Sequence, residues 1–158
     1  MNRRLRGALI ALQALASLGC SPSLQPPPAA PVPSRAPFLA PCPASPNCVS
    51  SEAVDAAHYV APLRVPGDPA QAMDTLRRII ESMPRTHIVA ASTTTLHAEF
   101  TSRFLRFVDD LDLQLDAAAH VVQIRSASRT GYSDLGVNRR RVEVIRDDFE
   151  RSSSRQPG

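Results

Sequence analysis

Two periodicities divide the chain. From Asp68 to Met83, apolar residues recur at three-and-four spacing, placing Ala72, Met73, Leu76, Ile79, Ile80 and Met83 on one helical face. Asp68 and Pro69 read as N-cap and first helical residue, and Pro84 stops the run, so the spacing predicts an amphipathic helix from Pro69 to about Met83. Its outer face carries Asp74, Arg77, Arg78 and Glu81, with Asp74 and Arg78 spaced to pair across one turn. After Pro84 the period changes to two. Thr86 to Ser92 is rich in β-branched residues, and Leu96, Ala98, Phe100, Ser102 and Phe104 then alternate with His97, Glu99, Thr101 and Arg103. A further row places Leu105, Phe107, Asp109, Leu111, Leu113 and Leu115 on one face. His120 to Ser128 reads as a last strand, with Val122, Ile124, Ser126 and Ser128 on the inner side and Gln123, Arg125 and Arg129 on the outer. Beyond a turn from Gly131 to Gly136, the residues Leu135, Asn138, Val142, Ile145 and Phe149 form one helical stripe. The expected fold is α+β: an antiparallel sheet of about four strands with two helices, 69–83 and 136–151, packed on one face.

Two positions break the apolar rows. Asp109 lies on a core-facing side, where an unpaired carboxylate would cost several kcal/mol, so it is expected to be a structural acid paired with an arginine of the last motif. Asn138 is the polar member of the last helical stripe. Either it or Asp134 is a candidate N-cap, and its side chain is expected to tie the preceding loop down. The stretch RSASRTGYSDLGVNRRR, residues 125–141, carries five arginines and two glycines at a strand-to-helix junction. It supports two readings. In the first, Arg129, Arg139 and Arg141, with Arg125, Ser133, Asp134, Asn138 and loop N–H groups, bind an anionic group such as a phosphate, carboxylate or lipid head group. In the second, the same charges form an internal network with Asp109 and Asp134 that locks the helix to the sheet. Arg125 has a simpler role open to it, laddering against Asp110 or Asp112 across the sheet.

The start of the chain is of a different kind. Residues 1–19 join a basic opening, Asn2-Arg3-Arg4-Leu5-Arg6, to an apolar run from Ala8 to Leu18 that is too short to span a bilayer, which is the pattern of an export signal. The signal ends at Ser17-Leu18-Gly19-Cys20, which resembles a bacterial lipoprotein box with Cys20 as the lipidated residue. The alternative is cleavage after Ala14-Leu15-Ala16, leaving Cys20 a free thiol. Ser21 after the cysteine points to an outer-membrane lipoprotein facing the periplasm. Residues 20–40 are a Pro-rich tether expected to be disordered, residues 41–151 a single domain, and residues 152–158 a polar tail. With Cys20 assigned to lipid, an exported chain keeps one pair of cysteines, and the five residues between them let a Cys42–Cys48 disulfide close. All 18 basic residues are Arg, and loss of the signal removes Arg3, Arg4 and Arg6, which cancels the net charge of +3. A near-neutral mature chain is not an electrostatic nucleic-acid binder.

CPASPNCVSS (42–51), FVDDLDLQL (107–115) and RSASRTGYSDLGVNRRRVE (125–143) resemble the bacterial and plastid family known as domain of unknown function 1499, over about Pro41 to Phe149. The resemblance implies an envelope-associated domain and carries no activity. Catalytic patterns are lacking: the chain has no GxSxG elbow, no HExxH, no phosphate-binding P-loop and no Lys for a Ser–Lys pair. Asp110, Asp112 and Asp116 lack the glycine turn and terminal Glu of an EF-hand, so they read as a solvent face, and neither metal nor cofactor is implied. The first functional expectation is a non-catalytic, lipid-anchored envelope module binding an anionic ligand or a protein partner. The alternatives are a hydrolase of an envelope component, using Ser126, Ser128 or Ser133 with His87, His97 or His120, and a purely structural lipoprotein domain.

Overall fold

The computed structural model describes residues 38–155. The predicted export signal, the Cys20 lipid site and nearly all of the tether lie outside them, as do the last three residues. The elements run β1 (Cys48–Ser50), β2 (Leu63–Arg64), α1 (Pro69–Ser82), β3 (Thr86–Ala91), β4 (Thr95–Thr101), β5 (Val108–Asp116), β6 (Val121–Ser128) and α2 (Val137–Ser153). The sheet is antiparallel throughout, in the order β1-β6-β5-β4-β3, with β2 also paired to β6. Both helices pack on one face, so the class is α+β as expected. The strands number six rather than about four, because β1 and β2 share the outer edge of β6. Segments of three and two residues are too short for an alternating pattern to be read.

The helix α1 begins as its sequence dictates. The Asp68 side chain accepts from the Ala70 N–H at 2.9 Å, and Pro69 occupies the first turn. Ala72, Met73, Leu76 and Ile80 are buried against the sheet. Its outer-face ion pair is Arg77–Glu81, whereas the Arg78 guanidinium turns to the Asp74 carbonyl and Thr75 Oγ1 instead of the Asp74 carboxylate. From β4 to β6 the alternation holds: Leu96, Ala98, Phe100, Leu111, Leu113, Leu115, Val122 and Ile124 are buried. From α2, Val142, Ile145 and Phe149 close the core.

The alternating pattern misplaces two groups. Phe104, Leu105 and Phe107 were expected to point inward, yet they are exposed, because β4 ends at Thr101 and β5 begins only at Val108. Between them Ser102 closes a short hairpin: its N–H donates to the Phe107 carbonyl, and its hydroxyl accepts from the Phe107 N–H, both at 2.8 Å. Leu135 is also exposed rather than part of the helical stripe, with left-handed backbone (φ 54) before α2 begins.

At the other end of the domain, the Phe38 and Leu39 N–H groups donate to the Glu52 carboxylate, which attaches the chain slightly before the expected boundary at 41. The Cys42–Cys48 disulfide is formed. It closes a small loop, so replacing both cysteines with Ser is expected to lower stability by about 2 kcal/mol in denaturant unfolding. The described core residues and both cysteines of the bridge lie in the compact unit of residues 35–158, which has the size and the hydrophobic core of an independently folding domain. Among the described residues, no helix is long and apolar enough to cross a membrane.

Candidate functional site

Asn138 enters the core from the first turn of α2 and is fully buried. Its Oδ1 accepts from the Ser126 hydroxyl at 2.6 Å and from Arg141 Nη1 at 2.5 Å. Its Nδ2 donates to the Asn47 carbonyl at 3.0 Å and to Ser128 Oγ at 3.1 Å. The amide thus uses all its hydrogen-bonding capacity. Asn47 is tied in as well: its Nδ2 donates to the Gly131 carbonyl, its Oδ1 accepts from Ser45, and its carbonyl also accepts from the Ser128 N–H. Asp109, 7% exposed, receives Arg141 Nη2 at 2.6 Å, and the same guanidinium reaches Ser126 Oγ and lies 4.4 Å from the centre of the Phe100 ring. Asp109, Arg141, Asn138, Ser126, Ser128 and Asn47 form one closed polar knot between sheet, helix and disulfide loop. Such a network is stabilising because each member is satisfied.

The other arginines of the motif go elsewhere. Arg125 and Arg129 project from the opposite, helix-free face of the sheet. There Arg129 Nη2 bridges Glu99 (2.5 Å) and Asp110 (2.7 Å), and Arg125 meets Asp112 at 3.4 Å. The two carboxylates of Asp110 and Glu99 hold the Arg129 guanidinium above its ordinary pKa. His97, Glu99 and Asp110 are close enough to share a cation, but Arg129 already bridges the two carboxylates of that trio. Arg139 donates to the carbonyls of Ala57 and Tyr59, and Arg146, two turns along the same side of α2, donates to those of Ala61 and Pro62. Asp134 caps α2 from outside the helix, accepting from the Gly136 and Asn138 N–H groups, while Ser133 Oγ accepts from the Leu135 N–H. The seven residues expected to share one ligand site are therefore spread over two faces and a loop, and only Arg141 and Asn138 touch each other through their side chains.

A cleft opens above the knot. About 390 Å³ in volume, it lies between the end of α1, the end of β4 and the first turns of α2, with Asp109 and Arg141 among its lining residues. Met83, Pro84, Phe100, Val137 and Val144 supply apolar surface, and Arg85, Arg103 and Arg140 supply charge. Arg85 Nε donates to the Thr101 carbonyl, Arg140 Nη1 donates to the Leu135 carbonyl, and Arg103 stacks over Phe104 at 5.3 Å. None of the three has a carboxylate partner among the described residues. The one acid in the lining, Asp109, is matched by Arg141. The cleft is therefore cationic in excess, with an apolar wall.

The sequence profile of a family described as "Protein of unknown function (DUF1499)" matches residues 38–149, most of the chain. The chain belongs to the DUF1499 family. A search of curated proteins finds no match to it. In this DUF1499 domain, the three segments that carry the family resemblance converge on the knot: 42–51 supplies Asn47, 107–115 supplies Asp109, and 125–143 supplies Ser126, Ser128, Asn138 and Arg141. Of the cleft arginines, Arg140 and Arg141 lay within the motif the sequence singled out. Arg85 and Arg103 did not, since each is an isolated basic residue at the end of an element, and only the fold brings them together.

The serines named for a hydrolase all have other partners. Ser126 and Ser128 bond Asn138, Ser133 bonds the Leu135 N–H, and among the described residues no histidine hydrogen-bonds to any of the three. The His97 ring is engaged with Asp112 at 2.7 Å. His58 shows a shifted pKa in this DUF1499 domain. Its Nε2 faces the Ser45 carbonyl at 3.1 Å and its Nδ1 faces Asp55 at 2.7 Å, and both acceptors raise its pKa above the ordinary 6.5. Asp55 is lowered from its ordinary 3.8 by the His58 hydrogen bonds. The His58 contribution is complete below its unfolded value and is lost as pH rises through the raised one. That of Asp55 is present above its unfolded value and is lost as pH falls through the lowered one. The tie between the disulfide loop and residues 55–58 is thus expected to be strongest between the ordinary Asp and His values and to loosen as pH rises past the ordinary His value through the raised one. Hydrogen exchange of the 45–58 backbone across that range checks this, and His58→Gln should abolish the alkaline loosening.

Proposed function

We propose that this chain is an exported envelope lipoprotein, anchored through Cys20 and retained at the outer membrane. Its DUF1499 domain is a non-catalytic module that binds an anionic ligand with an apolar part in the cleft between α1, β4 and α2. The observation that carries the binding reading is the set of Arg85, Arg103 and Arg140 around an apolar wall without carboxylate partners among the described residues. A guanidinium fork suits phosphate and carboxylate oxygens, and the apolar lining favours a ligand that is more than a bare inorganic ion. The site overlaps only in part the one expected along residues 125–141: Arg141 holds Asp109, and the available charges are Arg140 of that stretch with Arg85 and Arg103 from neighbouring elements. What supports export and anchoring is the sequence of residues 1–20 alone.

The test is thermal unfolding of residues 35–158 with inorganic phosphate, glycerophosphates, short-chain fatty acids and alkyl phosphates. A ligand of this class at about 100 times its Kd should stabilise the domain by about 2.7 kcal/mol. Arg85→Ala and Arg140→Ala, both at exposed positions, should fold normally and lose most of that gain. No shift with any member of the panel, or an undiminished shift in both variants, would overturn the reading.

A further inference from the structure

The hairpin between β4 and β5 ends in four exposed residues, Arg103-Phe104-Leu105-Arg106. Phe104 is 84% exposed and Leu105 70%, two adjacent large apolar side chains turned to solvent. The tip is not a frayed end. Ser102 ties its base with two hydrogen bonds to Phe107, and Arg106 holds left-handed backbone (φ 53). Across the cleft, Leu135 is 83% exposed, also in left-handed backbone, and Tyr132 is exposed in the same loop. The pairing of Asp109 with Ser128, and the bond from the Arg129 N–H to the Val108 carbonyl, put this loop at the same end of the sheet as the hairpin tip. Arg85, whose carbonyl accepts from the Thr101 N–H, is there too. Of the four non-glycine residues with positive φ among the described residues, three (Arg85, Arg106 and Leu135) lie at this end. Backbone held in sparsely populated conformations clusters where a surface has a task other than packing.

Charge and apolar surface are interleaved here in one sense only. Arg85, Arg103, Arg106 and Arg140 have no carboxylate partner among the described residues, while the acids nearby are engaged: Asp109 with Arg141, Asp134 with the N–H groups of α2, and Glu99 and Asp110 with Arg129 on the other face. Exposed Phe and Leu side chains ringed by unpaired guanidiniums match the boundary of an anionic bilayer, where apolar groups enter the acyl edge and cations meet phosphates. A folded protein partner would instead need acids and an apolar socket arranged to fit a narrow four-residue tip. We propose that this end of the domain docks on an anionic lipid surface, with Phe104, Leu105 and Leu135 entering the interface and Arg85, Arg103, Arg106 and Arg140 contacting lipid phosphates. The surface would bring the mouth of the cleft to the membrane, and Arg85, Arg103 and Arg140 belong to both, but the docking is tested apart from any ligand in the cleft because Phe104, Leu105 and Arg106 do not line it.

Residues 35–158, lacking the apolar N-terminal run, are mixed with vesicles of phosphatidylcholine alone and of phosphatidylcholine with phosphatidylglycerol, and co-sedimentation is measured. The expected result is partitioning to the anionic vesicles at least about tenfold above the neutral ones, falling with added salt. Phe104→Ser with Leu105→Ser should weaken it about tenfold or more, and Arg106→Glu should remove most of the preference for anionic lipid. These positions are exposed, so unchanged thermal unfolding is the check on folding, and a small-ligand shift in the same variants should remain intact. Equal binding to both vesicle types, no binding to either, or binding unaffected by the Phe104/Leu105 change would overturn the proposal. So would a dimer of the unaltered domain that the same changes dissociate, which would assign the tip to a second copy of the chain.

Discussion

Arg141→Ala is expected to lower the unfolding free energy of the domain by about 3–5 kcal/mol, the cost of leaving a buried carboxylate without its partner. Asp109 and Arg141 are both nearly enclosed, and the guanidinium also serves Ser126, Asn138 and the Phe100 ring, so its removal takes a partner from each of them at once. Denaturant unfolding at neutral pH measures the loss. The double variant Asp109→Asn with Arg141→Ala should recover part of it, because the stranded charge is then gone, and that recovery separates a charge effect from loss of packing. Arg129→Ala is the natural control. Its side chain is 44% exposed on the other face of the sheet, and its removal should move the midpoint far less. If Arg129 and Arg141 proved equally important, the division of the arginines between two faces would have to be abandoned.

Asn138→Ala is expected to cost about 2–4 kcal/mol. The loss comes less from the hydrogen bonds themselves than from what they leave behind: the Ser126 hydroxyl and the Asn47 carbonyl would keep fewer partners in a region with little access to water. Asn138→Leu, which fills the space without restoring any partner, should be no better, and that outcome would distinguish polar satisfaction from volume. Hydrogen exchange should show the damage reaching the Ser128 N–H, which donates to the same Asn47 carbonyl, although it is ten residues from the substitution in sequence.

Much of this was legible in the sequence where a period ran long enough to be read. The helix from Pro69, the inward rows of β4 to β6 and the stripe through Val142 to Phe149 all follow from spacing. Asp109 and Asn138 stood out because each interrupts such a row with a group that needs partners. Where the period ended was not legible. Phe104, Leu105 and Leu135 continue the pattern on paper, but a hairpin closed by Ser102 and a left-handed residue before α2 turn them outward. Spacing also placed Arg125 and Arg129 on the outer side of β6, but it does not report which arginine of the motif returns to the inner face, where Arg141 meets Asp109. The cleft depends on residues from three elements that no local pattern connects.

The position of β6 has a consequence for how the chain acquires its shape. Among the described residues, β1 and β2 pair with no strand other than β6, and Cys48 finds its place opposite Ala127. A chain emerging from its N-terminus can assemble β3, β4 and β5 from neighbouring segments, but its first two strands must wait unpaired until nearly the whole sequence has appeared. Asn47 waits longer still, for Asn138. Such long-range closure is slow, and it makes the final step all-or-none: the earliest and latest parts of the chain become ordered together, so a truncation within α2 would release the N-terminal edge of the sheet as well.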